Sequence, residues 1–267
     1  MTLYPPQPHR LARHTAWILA LAFLMAALAP LSAEPIQRPQ SRLYVDFSEQ
    51  PSPTNLLAYD LAFLSADTTA ELGPGRALGH TYYAQLRTVL VSPESAAGLK
   101  ARESGLTLKT KDAWSDLLVD VMHPGWIAWV MEQQARAAER GFSGFLIDGA
   151  AALPELDRLR PGQFLAHRQA FIKMVTALRR ACPDKPVVLR GGFEYTSVLK
   201  DQVRGILAEN LSADAESEKR IRRAQISGMK VYAVEHGDPA DTAANQATAA
   251  RLERVGCLPF ITPPALD

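Results

Sequence analysis

Short apolar runs alternate with longer segments of helical periodicity along most of the chain. The runs are rich in Val, Ile, Leu, Phe and Tyr and are mostly apolar on both faces, which is typical of buried parallel strands. Eight strands are predicted on this basis: Leu43–Phe47, Leu61–Ser65, Thr81–Leu86, Phe145–Asp148, Val187–Arg190, Gly205–Glu209, Val231–Glu235 and Leu258–Thr262.

The segments between the predicted strands carry helix signals. Pro124 suits the first turn of a helix, and Gly141 is a natural stop for it. Apolar residues repeat at helical spacing over Gln163–Arg180, and the Ala-rich segment Asp241–Val255 predicts a third helix. The segment Val91–Asp116 fits neither pattern, and we expect an elaborated loop region there.

Alternating strands and helices favour a parallel sheet with helical crossovers. Eight strands in a single domain favour a closed (β/α)8 TIM barrel over an open doubly wound sheet. The 267 residues lie near the lower end of the ~200 to 400 that such barrels use. No G-x-G-x-x-G follows an early strand and no G-x-x-x-x-G-K-[ST] occurs, so we expect no nucleotide partner and no cofactor.

The first 33 residues predict a secretory signal peptide. Arg10 and Arg13 precede an apolar run that Pro30 ends, with small residues after it. The run is shorter than the ~20 residues of a spanning helix, and an uncleaved membrane anchor is the alternative. Residues 34–41 predict a flexible leader, which leaves residues 42–267 for the barrel. We therefore expect a periplasmic or secreted protein, without stable membrane insertion after signal cleavage.

The composition is that of an ordinary globular protein. It has 47% hydrophobic residues, and 29 Lys+Arg balance 28 Asp+Glu, so there is no basic excess for a nucleic-acid partner. Two cysteines cannot form a disulfide framework or a Cys-based zinc site, and the histidines show no ligand spacing, so no metal is expected. Cys182 and Cys257 precede strands that are not neighbours, which disfavours a disulfide between them.

Carboxylates fall at the ends of several predicted strands. Asp148, Glu209 and Glu235 each end a strand, and Asp46 lies near the end of the first. Barrel enzymes react at this edge, and glycoside hydrolysis needs one protonated and one ionised carboxyl group. The alternatives are a turn or helix cap for Asp148 and ion pairing for the others.

The segment Gly141–Asp148 resembles the G-F-D-G-v-f-L-D strand of glycoside hydrolase family 114. That family includes endo-α-1,4-polygalactosaminidases and is similar to the hydrolase domain of the Pel exopolysaccharide proteins. Further segments resemble the family's motifs in the same order: His123–Trp126, Val187–Glu194, Gly205–Asn210 and Lys230–His236.

The resemblance implies a secreted (β/α)8 hydrolase whose substrate is an α-linked polysaccharide that contains amino sugars. Its acidic pair would be Asp148 and Glu209. By analogy with other barrel glycosidases, Asp148 would attack the anomeric carbon and Glu209 would protonate the leaving oxygen. Further candidates for substrate binding are Asp46, Tyr83, Arg190, Phe193, Asn210, Glu235 and His236. The alternative is a purely structural role, with the aromatic residues in the core and His236 in a solvent-exposed loop.

Two positions depart from the family's pattern. The third strand reads Tyr82-Tyr-Ala-Gln-Leu-Arg87, without the acid and the glycine of the family's Y-l-S-x-G-E motif, and Arg190 stands where the family has Asn. Both lie at the expected cleft. The departures favour a changed substrate preference or a loss of catalysis, so the competing hypothesis is an impaired barrel that binds exopolysaccharide or assists its export.

Overall fold

The structure, a computed structural model, describes residues 42–108, 115–211 and 216–262. The predicted signal peptide at 1–33 and the leader at 34–41 lie outside the described residues. The strands of the described part are β1 (Leu43–Asp46), β2 (Leu61–Ser65), β3 (Thr81–Arg87), β4 (Leu90–Val91), β5 (Thr107–Leu108), β6 (Leu117–Val119), β7 (Gly144–Asp148), β8 (Val187–Arg190), β9 (Gly205–Glu209), β10 (Lys230–His236) and β11 (Cys257–Thr262).

Eight of these strands form one parallel sheet in the order β1-β2-β3-β7-β8-β9-β10-β11. They are the eight strands predicted from the sequence, and three of them agree in both bounds. β11 and β1 lie side by side and nearly close the sheet, although the described residues show no hydrogen-bonded ladder between them. The rings of Tyr44 and Phe260 pack edge to face across this seam, with their centroids 5.7 Å apart. The prediction of a single-domain TIM barrel is confirmed.

Helices follow the strands and cover the outside of the sheet. Their bounds are α1 (Pro53–Ala58), α2 (Gly73–Ala77), α3 (Ala96–Glu103), α4 (Pro124–Glu139), α5 (Ala152–Leu159), α6 (Leu165–Ala181), α7 (Ser217–Ile226) and α8 (Thr242–Arg254), and a 3-10 turn spans Phe193–Tyr195. The three helices predicted from periodicity are confirmed as α4, α6 and α8. None of the helices within the described ranges is long and apolar enough to cross a membrane.

Side chains that alternate along the strands divide the core into two parts. The inside of the barrel holds Leu43, Val45, Phe63, Tyr83, Leu146, Val188, Leu207, Tyr232 and Val234. The opposite face of the strands packs against the helices in a larger cluster. Gly144 is required inside because a Cβ there would lie 2.5 Å from the ring of Tyr83. Glycine on one strand thus leaves space inside the barrel for a large ring on the neighbouring strand.

Trp126 anchors the longest crossover of the barrel. α4 begins at Pro124, directly after His123, whose ring accepts a hydrogen bond from the backbone N–H of Gly125. The Trp126 side chain is fully buried, and its Nε1 donates to the carbonyl of Thr88 at 2.9 Å. This bond ties the helix to the chain just beyond the carboxyl end of β3.

The segment between β3 and α4 contains more regular structure than the expected loop region. It includes α3 and a small antiparallel sheet in the order β4-β6-β5. Strands of two or three residues are too short to show a periodicity of two, which explains why the sequence pattern did not predict them.

The two cysteines are both free thiols. Cys182 follows α6, and Cys257 begins β11, where it is buried. Burial, together with the charge of Glu235, raises the pKa of the Cys257 thiol to about 11. Cys257 is therefore protonated at neutral pH and acts as a small apolar side chain of the outer core.

Candidate active site

A cavity of about 600 Å³ lies at the carboxyl ends of β7, β8 and β9. Its size falls within the range of about 300 to 1,000 Å³ that is usual for sites of small ligands. Six lining residues that matter below are Arg87, Asp148, Arg190, Phe193, Glu209 and Asn210. Five of these were predicted as site residues from the sequence, and the structure brings them together.

Asp148 ends β7, and three groups hold its carboxylate. Oδ2 accepts hydrogen bonds from Gln85 Nε2 at 2.6 Å and from Arg190 Nη1 at 3.1 Å. Oδ1 accepts one from the backbone N–H of Gly149 at 2.7 Å. The side chain is 17% exposed, so it faces the cavity while its orientation is fixed from behind.

Glu209 ends β9 and binds the same guanidinium. Its Oε1 accepts from Arg190 Nε at 2.7 Å and from Nη2 at 2.6 Å. Oε2 has no hydrogen-bond partner within the described part of the chain. The Glu209 side chain is 33% exposed, about twice as much as that of Asp148. One oxygen of Glu209 is thus anchored and the other is available to a ligand.

Arg190 ends β8, the strand between β7 and β9, and bridges the two acids. The guanidinium also lies over the ring of Phe47, 4.9 Å from its centroid. Burial lowers the pKa of Arg190, but the charges and hydrogen bonds of Asp148 and Glu209 outweigh this effect and raise it. Its charge is therefore fixed, as a permanent cation between two carboxylates.

Arg87 ends β3 and stands beside Asp148 in the sheet. The two residues are register partners across β3 and β7, so they lie in one row at the mouth. The Asp148 side chain nevertheless binds Gln85 and Arg190, and the Arg87 side chain has no hydrogen bond, ion pair or ring contact among the described residues. A half-buried guanidinium without a partner thus lines the cavity.

Phe193 and Asn210 follow the strands that carry Arg190 and Glu209. Phe193 begins the 3-10 turn, and the guanidinium of Arg220 lies 5.9 Å from its ring centroid. Asn210 adopts a positive φ of 53°, which Asn tolerates better than most residues, and its N–H donates to Val234. Both residues present polar or aromatic groups to the cavity at the side of β8 and β9.

Four other predicted site residues are not among the described residues that line the cavity. Tyr83 is 5% exposed and packs against Phe63 inside the barrel. The Asp46 carboxylate accepts hydrogen bonds from the Tyr44 hydroxyl at 2.5 Å and from the backbone N–H of Ser48. Glu235 is 4% exposed and shares the helix-facing side of β10 with Ala233. His236, by contrast, is exposed at the end of β10.

Gln85 was not predicted as a site residue, although its amide fixes the position of Asp148. It is 3% exposed and lies on the same face of β3 as Tyr83, two positions along. A polar residue in an otherwise apolar buried strand was the available signal, since a buried amide needs a partner. Throughout the described ranges, the cavity included, no group of three His, Cys, Asp or Glu residues could hold a metal ion.

Comparison with solved structures gives several matches over most of the chain. The glycoside hydrolase domain of PelA from Pseudomonas aeruginosa has a TM-score of 0.73 at 20% identity, over 85% of this chain and 96% of that one. The resemblance read from the sequence is confirmed. Ega3 from Aspergillus fumigatus, solved in complex with galactosamine, has a TM-score of 0.66 at 12% identity, over 84% of this chain and 91% of that one.

A third match is the α-galactosidase of Thermus thermophilus, with a TM-score of 0.52 at 13% identity, over 84% of this chain and 58% of that one. No protein-family model matches the sequence, and no curated protein sequence matches it either. At these identities the structural similarities establish a shared fold, and the chemistry has to be argued from the site itself.

Proposed function

We propose that this protein is a glycoside hydrolase that uses Asp148 and Glu209 as its acidic pair. The observation that carries the proposal is their convergence. Two carboxylates from separate strands reach one cavity at the edge of the barrel where catalytic groups belong. The similarity of the fold to the PelA hydrolase domain supports the same reaction class.

The contacts of the two acids suit different roles. Asp148 is held by Gln85, Arg190 and the N–H of Gly149, and these three donors fix the orientation of the carboxylate, as an attacking nucleophile requires. Glu209 keeps Oε2 open, and a proton on that oxygen can be given to the glycosidic oxygen while Oε1 stays bound to Arg190. These roles, nucleophile for Asp148 and proton donor for Glu209, are the ones that the sequence resemblance implies.

The reaction would proceed in two steps. An Asp148 oxygen attacks the anomeric carbon as the glycosidic bond breaks, and the leaving oxygen takes the proton of Glu209. The resulting Glu209 carboxylate then removes a proton from water, which displaces Asp148 and frees the second sugar. The two steps together return both carboxyl groups to their starting state, since the second step frees Asp148 and restores the proton of Glu209.

We further propose that the substrate is an α-linked polysaccharide that contains galactosamine, cleaved within the chain. Support comes from PelA and from Ega3, which was solved with galactosamine. Phe193 offers a ring face for a sugar, and Asn210 offers an amide near Glu209. On the basis of the signal-like first 33 residues, we propose that this reaction takes place in the periplasm or outside the cell.

A second candidate is a barrel that binds exopolysaccharide without cleaving it. Arg190 favours this candidate because it binds both acids at once, in the position where the resemblance implies Asn. Glycan binding with no release of reducing ends, across α-linked amino-sugar polymers, would support this candidate against the hydrolase.

The test is to measure release of reducing ends from a galactosamine-containing polysaccharide by the chain without residues 1–33. We expect Glu209→Gln and Asp148→Asn each to lower turnover at least ~100-fold, since either change removes a group that reacts. The control is Glu132→Gln, which removes an exposed acid that is paired with Arg136 on α4 and does not line the cavity. Wild-type turnover by Glu209→Gln would remove Glu209 from the mechanism.

A further inference from the structure

The proposed function leaves the acetylation state of the amino sugar open, and Arg87 bears on it. Arg87 lines the cavity at the end of β3, next to Asp148 in the sheet. Around the mouth, the strand ends carry Arg87, Asp148, Arg190 and Glu209 in that spatial order, so positive and negative side chains alternate. Arg190 neutralises part of the acidic pair, whereas no contact with another described residue balances the charge of Arg87.

A free amino sugar is a poor fit beside Arg87. Its ammonium group would approach a fixed guanidinium charge, and like charges repel more strongly in a partly enclosed site than in bulk water. The Asp148 oxygens, which would attract an ammonium, already accept hydrogen bonds from Gln85, Arg190 and Gly149. An acid at the position of Arg87, as the family's motif has it, would have the opposite effect.

An acidic sugar is also a poor fit, because most of the charged side chains that line the cavity are acids. These are Asp116, Asp148, Glu155, Glu194 and Glu209, against Arg87, Arg190 and Arg220. A neutral acetamido group avoids both penalties, and its carbonyl oxygen can accept from Arg87, whose donors have no acceptor within the described residues. The lining of the cavity therefore selects a neutral substituent that carries an acceptor.

We propose that Arg87 selects an N-acetylated galactosamine unit over a free galactosamine unit at the subsite beside Asp148. This inference rests on the proposed function, and it makes Arg87 a specificity-determining residue rather than a catalytic one. Glu194 lies in the loop after β8, on the other side of Asp148 from β3, so a free amine can be tolerated farther along the cavity.

The test is to measure dissociation constants of the Glu209→Gln protein for three α-1,4-linked oligomers of equal length: oligo-N-acetylgalactosamine, oligogalactosamine and oligogalacturonate. We expect the acetylated oligomer to bind most tightly. Arg87→Glu should shift the ratio between the first two by at least ~10-fold toward the free amine, and Arg87→Gln should fall between. Arg87→Lys should keep the wild-type order, and added salt should reduce the discrimination because it screens the repulsion.

Tightest binding of either charged oligomer to the protein with Arg87, or the same ratio after Arg87→Glu, would overturn the inference, as would no binding of any oligomer. Circular dichroism establishes that each variant is folded. Cleavage by the wild-type chain is measured separately. Binding in the expected order without cleavage refutes the proposed hydrolase and leaves the role of Arg87 standing, whereas cleavage without that order does the reverse.

Discussion

Arg190 decides how the two carboxylates are presented, because one guanidinium binds both. With hydrogen bonds of 2.6 to 3.1 Å, it fixes Asp148 and Glu209 relative to each other more rigidly than backbone packing alone could. Its stacking on Phe47 restrains the guanidinium in turn. Arg190 is therefore a positioning residue in the hydrolase that we propose, and its removal leaves two like charges facing each other.

Replacement of Arg190 by Asn tests this role against a blocking one. We expect Arg190→Asn to lower kcat at least ~10-fold and the free energy of unfolding by about 1–3 kcal/mol, because two partly buried acids lose their shared donor. Arg190→Lys should recover part of the stability but less of the turnover, since an ammonium cannot hold both carboxylates in the same plane. Turnover and urea denaturation are the measurements. A rise in turnover on Arg190→Asn would instead identify Arg190 as the group that suppresses catalysis.

The acids at the strand ends show what a sequence can and cannot predict about single residues. Asp148 and Glu209 were predicted as a pair, and they share the inward face of their strands with Leu146 and Leu207. Glu235 ends its strand too, but it has the parity of the outward-facing Ala233. Because successive side chains of a strand point to opposite faces, counting from a residue known to face inward separates Asp148 and Glu209 from Glu235. The bridge through Arg190 could not be predicted, since it depends on side-chain geometry across three strands.

The turn after β7 is the element that places the nucleophile candidate. Gly149 has a φ of +93°, and its N–H donates to Asp148. A Cβ at this position would lie 2.7 Å from the Cβ of Val89, so the turn can hold only glycine without moving β7 or the chain after β3. The conformation of this one residue thus connects the end of the strand with the orientation of its carboxylate.

We expect Gly149→Ala to lower the free energy of unfolding by about 2–4 kcal/mol, through backbone strain and the clash with Val89. Turnover should fall with it because Asp148 loses its restraint. Gly162→Ala is the matched control. Gly162 also has a positive φ, +83°, but no atom lies within 4 Å of the added Cβ, so only about 1–2 kcal/mol should be lost, through backbone strain, and turnover should not change. Equal losses in the two variants would contradict the packing argument.

At the scale of elements, the sequence predicts those that repeat a pattern and misses those that are short. All eight barrel strands follow from runs of buried apolar residues, and α4, α6 and α8 follow from helical spacing over 13 or more residues. The small antiparallel sheet between β3 and α4 could not be predicted because β4 and β5 have two residues each. These short strands pair through contacts between segments that are distant in the sequence, and a local hydrophobic pattern does not predict such contacts.

For the molecule as a whole, buried tyrosines set an upper limit to the pH range of stability. Burial raises the pKa of Tyr195 from its ordinary value of 10 to about 12, against the opposing charge of Arg168. Burial and a hydrogen bond to Asp46 raise the pKa of Tyr44 to about 12 as well. Above pH 10 the unfolded chain loses these protons first. Stability should therefore be unaffected by these groups below pH 10 and fall between pH 10 and 12.

Tyr195→Phe should weaken this alkaline loss by up to about 3 kcal/mol, because two units of pKa correspond to that difference. The measurement is urea denaturation at a series of pH values from 8 to 12, with the wild-type protein as the reference. The two stability curves should run parallel below pH 10 and diverge above it. Curves that stay parallel up to pH 12 would show that Tyr195 titrates normally in the folded protein.

The seam between β11 and β1 gives the barrel one joint of a different kind. Every other neighbouring pair of strands is held by a backbone ladder, whereas the rings of Tyr44, Tyr59 and Phe260 pack together here. Ring contacts resist separation but leave amide protons unprotected. Among the barrel strands, deuterium uptake in the folded protein should consequently be fastest along the outer edges of β1 and β11. The barrel should therefore open locally at this seam, which lies roughly opposite the strands that hold the two carboxylates.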